Sequence, residues 1–376
     1  MKLFKIQDII PQIPNLLFRR RFRFTFELLP FEVRELHLKK IWNFFYAGLN
    51  QFLLPVRPVG YPVIAQVEPV NFCNLSCPLC LTTLESDSRP KMALSFDTFK
   101  HFIDTIGDYL LFIVLWMNGE PFLHPDIFRM ISYAKSKKVI VHTSTNGNVN
   151  FNEDQAAMLV ECGLDSLVVG VDGASQETYT RYRRGGDLEL VLRNIRTVIK
   201  VKQEKGSDTP LVNLRFIVMK HNENEIPAIK KLAEELQIDF LTFRTVASVK
   251  ALETDFCRYY LPETRDYRGY ENSAEKSRRK QKRFTCMRPW KRITLSASGE
   301  VIPCEYDYKN THAFGALDTK ESPLSIWKGK SGRDFRSKFN AGNNHYYLCR
   351  DCVYKDMVVD DCTVEIFRCT QTSEKK

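Results

Sequence analysis

Cys73, Cys77 and Cys80 stand at C-x3-C-x2-C in the run C-N-L-S-C-P-L-C, directly after the apolar segment Val63 to Val70. Thiolates are the usual protein ligands of [4Fe-4S] clusters, and a loop of eight residues can wrap one cube with three of them. Three ligands leave one iron without a protein ligand. By analogy with zinc, where an open position separates a reactive site from one that only holds structure, such a cluster is built to react. Structural zinc is the bland alternative for close cysteines, and it needs a fourth Cys or His that nothing close by supplies.

A second set, Cys286, Cys304, Cys349 and Cys352, follows at C-x17-C, then 44 residues, then C-x2-C, with Gly299 five residues before Cys304. Four thiols suffice to close a cluster with no open iron. A zinc ribbon also needs four cysteines but prefers two close pairs, and the first pair here is spread. Cys362 is an alternate ligand, while Cys162 and Cys257 are isolated and read as core or surface thiols.

The elements that must position these thiols alternate. Val63 to Val70, Leu111 to Met117, Val139 to Ser144, Ser166 to Val171, Leu211 to Met219 and Asp239 to Phe243 read as six strands. Helices are expected at Ser95 to Gly107, Asp126 to Lys137, Asn152 to Cys162, Ser175 to Arg183, Leu188 to Glu204 and Asn222 to Leu236. Short apolar runs separated by helices are the pattern of parallel strands covered on both faces. The fold class is therefore α/β, a partial (β/α)6 barrel, followed by a small α+β module that carries the second set of cysteines. Barrels of this type gather their chemistry at the C-terminal ends of the strands, and the first cysteine motif begins three residues after the first strand.

Composition sets the outer bounds. At 376 residues, 44% hydrophobic and 27% charged, the chain has room for one large domain and a smaller one or two. Eleven cysteines are too sparse for a disulfide scaffold, and two tight clusters point to metal in a reducing compartment, hence the cytoplasm. The N-terminus lacks the apolar stretch and cleavage site of a signal peptide, and the longest apolar run, Leu110 to Met117, is too short to span a bilayer. Boundaries are expected at 1–60 (a basic, Phe-rich extension), 61–245 (barrel), 246–285 (basic linker), 286–362 (auxiliary module) and 363–376 (tail).

The net charge of +10 suggests an anionic partner; residues 1–60 carry ten Lys/Arg against four Asp/Glu. Arg19, Arg20, Arg21 and Arg23 sit among Leu16, Leu17, Phe18, Phe22, Phe24 and Phe26. That mixture suits peripheral contact of residues 1–30 with an anionic membrane on its inner face, rings entering the acyl boundary and guanidinium groups meeting headgroups. The plain alternative is a helical extension packed on the barrel with a solvated basic face. The basic run 275–283 reads as linker or lid, or as a second anion-binding surface.

Taken in order, the motifs resemble the radical S-adenosylmethionine (SAM) superfamily. Asn118-Gly119-Glu120-Pro121 looks like that family's Gly-Gly-Glu-Pro segment, with Asn in place of the first Gly. The resemblance implies that Glu120 and neighbouring backbone carbonyls bind the amino group of SAM. Thr145-Asn146-Gly147 resembles the family's Thr-Asn-Gly turn. Gly170-Val171-Asp172-Gly173, followed by Glu177, Tyr179, Tyr182, Arg183 and Gly185-Gly186, is similar to the family's fourth-strand segment, where a Ser commonly stands at the position of Gly170. There Asp172 is the expected polar contact to the ribose or carboxylate of SAM, and Val218 and Met219 lie where the family lines its adenine pocket. Cys286 through Cys304 looks like the start of the SPASM/twitch auxiliary-cluster module. Cys362 and Cys369 depart from the full SPASM spacing, so the one-cluster twitch type fits better.

The resemblance implies a radical SAM enzyme holding one SAM-binding [4Fe-4S] cluster, a second auxiliary [4Fe-4S] cluster and SAM, fed by an external one-electron donor such as flavodoxin or ferredoxin. Reductive cleavage of SAM gives a 5′-deoxyadenosyl radical that removes hydrogen from an unactivated carbon. An auxiliary cluster can accept the electron left behind, giving oxidation or a crosslink; a hydrogen-donating Cys162 or Cys257 would instead give epimerisation. Expected substrates are a small sugar or alcohol or a lipid-associated molecule, with a peptide or protein maturase as the alternative. The competing class is a non-catalytic iron-sulfur or zinc protein binding nucleic acid. Basic charge is a weak pointer to it, and the aromatics do not match a stacking platform on strands.

Overall fold

Phe-Arg-Phe-Thr-Phe alternates at period two, and the chain uses it as a strand. β1 (Phe22–Phe26) pairs antiparallel with β2 (Leu29–Val33) through a two-residue turn. Phe22, Phe24, Phe26, Leu29, Phe31 and Val33 form one buried face, packed on Ile64, Phe112, Ile140 and Phe240. The computed structural model describes residues 10–84, 88–248, 254–269, 286–318, 321–342, 345–350, 352–354 and 362–370. The rings expected to enter a bilayer are thus spent on the protein's own core: burial of the phenylalanines corrects that expectation for Phe22, Phe24 and Phe26. They face inward, so they form no platform for bases either. The extension is a hairpin followed by α1 (Leu38–Leu53), not a helix alone.

The barrel follows as β3 (Ile64–Val67), β4 (Phe112–Val114), β5 (Ile140–Thr145), β6 (Ser166–Gly170), β7 (Leu211–Val218) and β8 (Phe240–Thr245), all parallel and hydrogen-bonded in chain order. Helices α2 (Phe96–Ile106), α3 (Ile127–Ser136), α4 (Glu153–Glu161), α5 (Gln176–Tyr182), α6 (Leu188–Glu204) and α7 (Ile226–Glu235) cross between them. Side-chain caps fix where several begin: Ser95 Oγ accepts from Thr98 N, Asn152 and Gln155 form a capping box, and Asp187 accepts from Leu190 N. Alternate strand residues, among them Ala65, Ile113, Val141, Leu167, Leu214 and Leu241, join the helices in one core. The intervening residues, Gln66, Trp116, His142, Arg215 and Arg244, consequently face the barrel interior. Ile64, Phe112, Ile140 and Phe240 each open their strand, so the hairpin closes the N-terminal mouth, opposite the end where the cysteine loop lies.

The auxiliary segment continues the same sheet. β9 (Arg292–Leu295) pairs parallel with β3, and β10 (Glu300–Ile302) and β11 (Gly315–Ala316) extend that edge. α8 (Pro323–Lys328) and α9 (Lys330–Ala341) bury Trp327 and Phe335 in the barrel's helical core. At the far edge β12 (Thr363–Arg368), within the stretch expected as a tail, runs antiparallel to β8. The result is one ten-stranded sheet. The basic run 275–283 lies outside the described residues, among which no helix is long and apolar enough to cross a membrane.

Candidate active site

After β3 the chain loops over the strand ends and carries all three thiols of the first motif. Cys73 Sγ accepts from Leu75 N and from Asn146 Nδ2, each at 3.4 Å. Asn146 Nδ2 also donates to Asn74 Oδ1 at 2.8 Å, Asn74 Nδ2 donates to the Asn148 carbonyl at 2.6 Å, and Ser76 N donates to the Arg184 carbonyl at 3.1 Å. The loop is therefore tied to the turn after β5 and to the end of α5. Burial pushes the Cys77 thiol up to about 11; Arg183 pulls it back, while Cys80, Asp172 and Cys73 add to the rise. Burial also raises Cys73, with Glu120 and Cys80 contributing. Thiols that resist ionisation alone become ligands when metal charge replaces the proton, so this donor set fits an iron-sulfur cluster. Among the described residues no three His, Cys, Asp or Glu converge on a single ion, which ligands that each take a different iron of a cube need not do.

Gly119 and Glu120 follow β4. Gly119 has φ +79°, and a Cβ there would lie 2.5 Å from the Val70 carbonyl oxygen and 2.6 Å from that of Phe72. Only glycine lets this turn approach the cysteine loop so closely; Glu120 N donates to the same Phe72 carbonyl at 2.9 Å. The Glu120 carboxylate is buried and accepts from Thr145 Oγ1 (2.8 Å), Asn146 N (2.7 Å) and Phe122 N (3.2 Å). Burial outweighs those bonds and lifts its pKa to about 7. Pro121 is buried at the start of a short 3-10 turn, Pro121–Leu123. Asn118, where the family has Gly, donates from Nδ2 to Glu68 Oε1 at 3.2 Å. Fully buried Glu68 also receives both Nη groups of Arg89 (2.9 and 2.8 Å) and the amide of Ala297 (2.9 Å), joining the cysteine loop, the Asn118 turn and the auxiliary segment.

Asp172, at the end of the β6 segment, is fully buried. Its Oδ2 accepts from Arg183 Nε at 2.6 Å and its Oδ1 from Ile217 N at 2.7 Å. A Cβ on Gly170 would collide with the Arg183 guanidinium, so the residue that departs from the family's Ser makes room for this arginine. Met219 packs in one apolar cluster with Leu75, Cys77 and Tyr182. The Val218 side chain points the other way, into the core between sheet and helices, and only its backbone can reach the strand end.

In the auxiliary segment Arg288 feels both Cys286 and Cys304, and Cys352 feels Arg288 and Cys286. Burial pushes Cys352 up to about 11 and raises Cys304 strongly. Arg288 pairs with Glu305 at 2.8 Å and lies 4.7 Å from the Tyr354 ring centroid. Cys349 is half-buried on a single helical turn, Tyr347–Arg350. Cys362 is buried in the cluster that holds Leu75, Cys77 and Met219, beside Tyr354, which Arg288 also approaches. Cys162 bonds the Leu159 carbonyl within the outer core, away from the interior. The Cys257 side chain lies outside the described residues. Sequence reasoning gave Arg183, Glu68 and Arg288 no role; only Arg183 had a signal, as the cation following the Tyr179/Tyr182 run.

A parallel partial barrel with three thiols, a glycine-permitted turn and a buried carboxylate at its strand ends defines an iron-sulfur enzyme class. Residues 67–233 match the family model described as the radical SAM superfamily, and residues 286–353 match one described as an iron-sulfur cluster-binding domain. The chain belongs to the radical SAM superfamily, whose domain binds SAM and a [4Fe-4S] cluster, and it carries an additional iron-sulfur cluster-binding domain. It is 32% identical over 172 residues to Fe-coproporphyrin III synthase of Methanosarcina barkeri, covering 46% of this chain and 41% of that one. It is 23% identical over 318 residues to the tungsten-containing aldehyde ferredoxin oxidoreductase cofactor-modifying protein of Pyrococcus furiosus, covering 77% and 87%. The chain spans half or less of the length of the two Methanosarcina barkeri relatives it matches, 41% and 50%. Among solved structures, SuiB of Streptococcus suis bound to S-adenosylmethionine shares the fold with a TM-score of 0.55 at 13% identity, over 84% of this chain and 76% of that one.

Proposed function

We propose that the chain oxidises a small sugar or alcohol, or a lipid-associated substrate, inside the barrel, Cys73, Cys77 and Cys80 holding the SAM-binding cluster and Cys286, Cys304, Cys349 and Cys352 the auxiliary one. When bound, the first cluster and SAM supply a 5′-deoxyadenosyl radical able to take hydrogen from an unactivated carbon. Asn146 orients Cys73, Glu120 receives the ammonium of SAM, whose charge favours the ionised carboxylate, and Arg183, held by Asp172, faces its carboxylate. Met219 covers the adenine.

The observation that carries the reading is a polar path from the auxiliary thiols into the interior. Arg288 and Arg292 both pair with Glu305, at 2.8 and 3.3 Å, and Arg292 Nη1 donates to Gln66 Oε1 at 2.5 Å. A few convergent buried polar groups suit hydroxyl-bearing substrates, and because Glu305 directly follows Cys304, a cluster held by the auxiliary thiols would lie beside them and would supply an acceptor for the substrate's electron. Anaerobically purified protein should carry about eight irons and form 5′-deoxyadenosine on reduction with SAM. Bound zinc without such cleavage would sink the proposal.

A further inference from the structure

Helix α1 is apolar on both sides. Its protein-facing side sets Ile41, Phe44 and Ala47 in the core under the hairpin and also holds Lys40 and Asn50 fully buried and Asn43 nearly so. Lys40 Nζ donates to the carbonyls of Lys137 (2.8 Å) and Lys138 (3.0 Å), which end α3. Asn43 accepts from Tyr61 N at 2.7 Å and donates to the carbonyls of Tyr61 and Tyr109, both at 3.2 Å; Asn50 exchanges two 2.8 Å bonds with Val59. The outward side carries Leu38, Trp42, Tyr46, Leu49, Phe52 and Leu53, each between 47 and 67% exposed. These positions recur at three to four residues and share one face. Eleven of the fourteen exposed large apolar side chains among the described residues lie before residue 60, so the apolar surface is concentrated here and not scattered.

The charge around this face is predominantly basic. From Leu36 to Gly60 the sequence contains no Asp or Glu, while Lys39 on α1 and Arg57 just after it are exposed. Two carboxylates lie near the start of α1: Asp108, 3.6 Å from Lys39, and the exposed Glu35, which pairs with Lys138. Trp42 and Tyr46 also line a shallow groove of about 530 Å³ with Tyr61 and Tyr109, placing amphipathic rings where a headgroup layer would meet them.

We propose that this outward face of α1 docks the enzyme on an anionic lipid bilayer, Leu49, Phe52 and Leu53 entering the acyl boundary and Lys39 and Arg57 meeting headgroups. A second copy fits worse, because an isologous contact would bring the two predominantly basic rims together, with Asp108 already paired to Lys39. The contact is thereby moved from Phe22, Phe24 and Phe26 to a helix that the buried bonds of Lys40, Asn43 and Asn50 hold rigidly in place. It does not depend on the substrate.

The full cluster-loaded protein is mixed with vesicles of pure phosphatidylcholine, or of equal parts phosphatidylcholine and phosphatidylglycerol, and sedimented. Wild type should pellet with the anionic vesicles and release with salt. A Trp42→Ser, Leu49→Ser, Phe52→Ser variant should partition roughly tenfold more weakly or worse, while still cleaving SAM and keeping its unfolding temperature. Trp290 and Trp327 are buried and Trp42 is 59% exposed, so a blue shift of tryptophan emission on vesicles that Trp42→Phe removes reports insertion of this ring. Wild type that stays in the supernatant with both vesicle types overturns the proposal, as does a triple variant that still pellets. A concentration-dependent dimer dissolved by the triple variant, with no vesicle binding, assigns the face to a second copy and overturns it equally.

Discussion

Arg183 Nε donates to Asp172 Oδ2 at 2.6 Å, and the guanidinium fills the space that any side chain on Gly170 would need. Asp172 is expected to touch SAM itself; its other oxygen accepts from the amide of Ile217, and we propose that it acts by fixing the arginine. Asp172→Asn keeps the shape and removes the charge, and removing one partner of a buried pair costs about 3–5 kcal/mol. SAM affinity should fall at least about tenfold, the equivalent of about 1.4 kcal/mol, with iron content unchanged. Gly170→Ser, which restores the family's residue, should also weaken SAM by expelling Arg183. Equilibrium binding of SAM to both variants checks this; wild-type affinity in either would show that Arg183 does not contact the cofactor.

Gly119→Ala tests how closely the Glu120 turn must approach the cysteine loop. The added methyl would meet two backbone carbonyls at 2.5 and 2.6 Å at φ +79°, and neither carbonyl can swing away without moving the loop. A left-handed non-glycine residue alone costs about 1–2 kcal/mol. Gly206→Ala supplies that reference, since φ is +58° and nothing lies within 4 Å. Thermal unfolding should place Gly119→Ala well below Gly206→Ala, and only the former should lose 5′-deoxyadenosine formation.

The six strand-helix units were legible because each carries a run of apolar residues followed by an amphipathic stretch, several of them opened by a side-chain cap, and Leu188–Glu204 begins and ends where its periodicity does. The site was legible wherever a motif is local: Cys73 to Cys80, Asn118 to Pro121, Thr145 to Gly147. What escaped was long-range. Nothing near Glu68 announces that Arg89, Asn118 and Ala297 will converge on it, and β9 joins β3 across more than two hundred residues. The hairpin was different, since Phe22, Phe24 and Phe26 alternate with Arg23 and Thr25 at strand period, but the basic residues between them also fit an interfacial reading. Burial, which decides between the two, is a tertiary property.

Cys349→Ala separates the two clusters. About four irons should be lost, 5′-deoxyadenosine should still form, and substrate oxidation should stop. Cys77→Ala should abolish both. Iron assay and product analysis on the two variants suffice, and joint loss of both activities in Cys349→Ala would mean that the auxiliary cluster is structural.

Glu27 and His142 make the hairpin's seat sensitive to acid. Glu27 and Leu28 form the turn with φ of 50° and 66°, strain that is offset where Glu27 pairs with Arg215 and Arg244 inside the barrel. Burial opposes the Glu27 charge, but Arg215, Arg244 and His142 outweigh it and take its pKa down to about 2. Burial among Phe26, Phe31, Phe112 and Trp116 holds His142 neutral, its pKa lowered from 6.5 to about 3. Both groups have depressed folded values, so each contributes stability that is complete above its unfolded value and lost as pH falls. His142 acts first: between 6.5 and 3 the unfolded chain binds a proton that the folded one refuses, which removes about 1.4 kcal/mol per pH unit. Glu27 acts only below 4.5. Neither ring nitrogen of His142 has a hydrogen-bond partner among the described residues, so His142→Phe forfeits no bond in an aromatic pocket. The variant should match or exceed wild type at neutral pH and lose stability less steeply as pH drops below 6.5. Glu27→Gln, which leaves two buried guanidinium groups without their carboxylate, should lower the unfolding temperature at neutral pH. Parallel melting curves across pH for the two variants check both signs, and a His142→Phe curve parallel to wild type would mean that the imidazole is protonated in the fold.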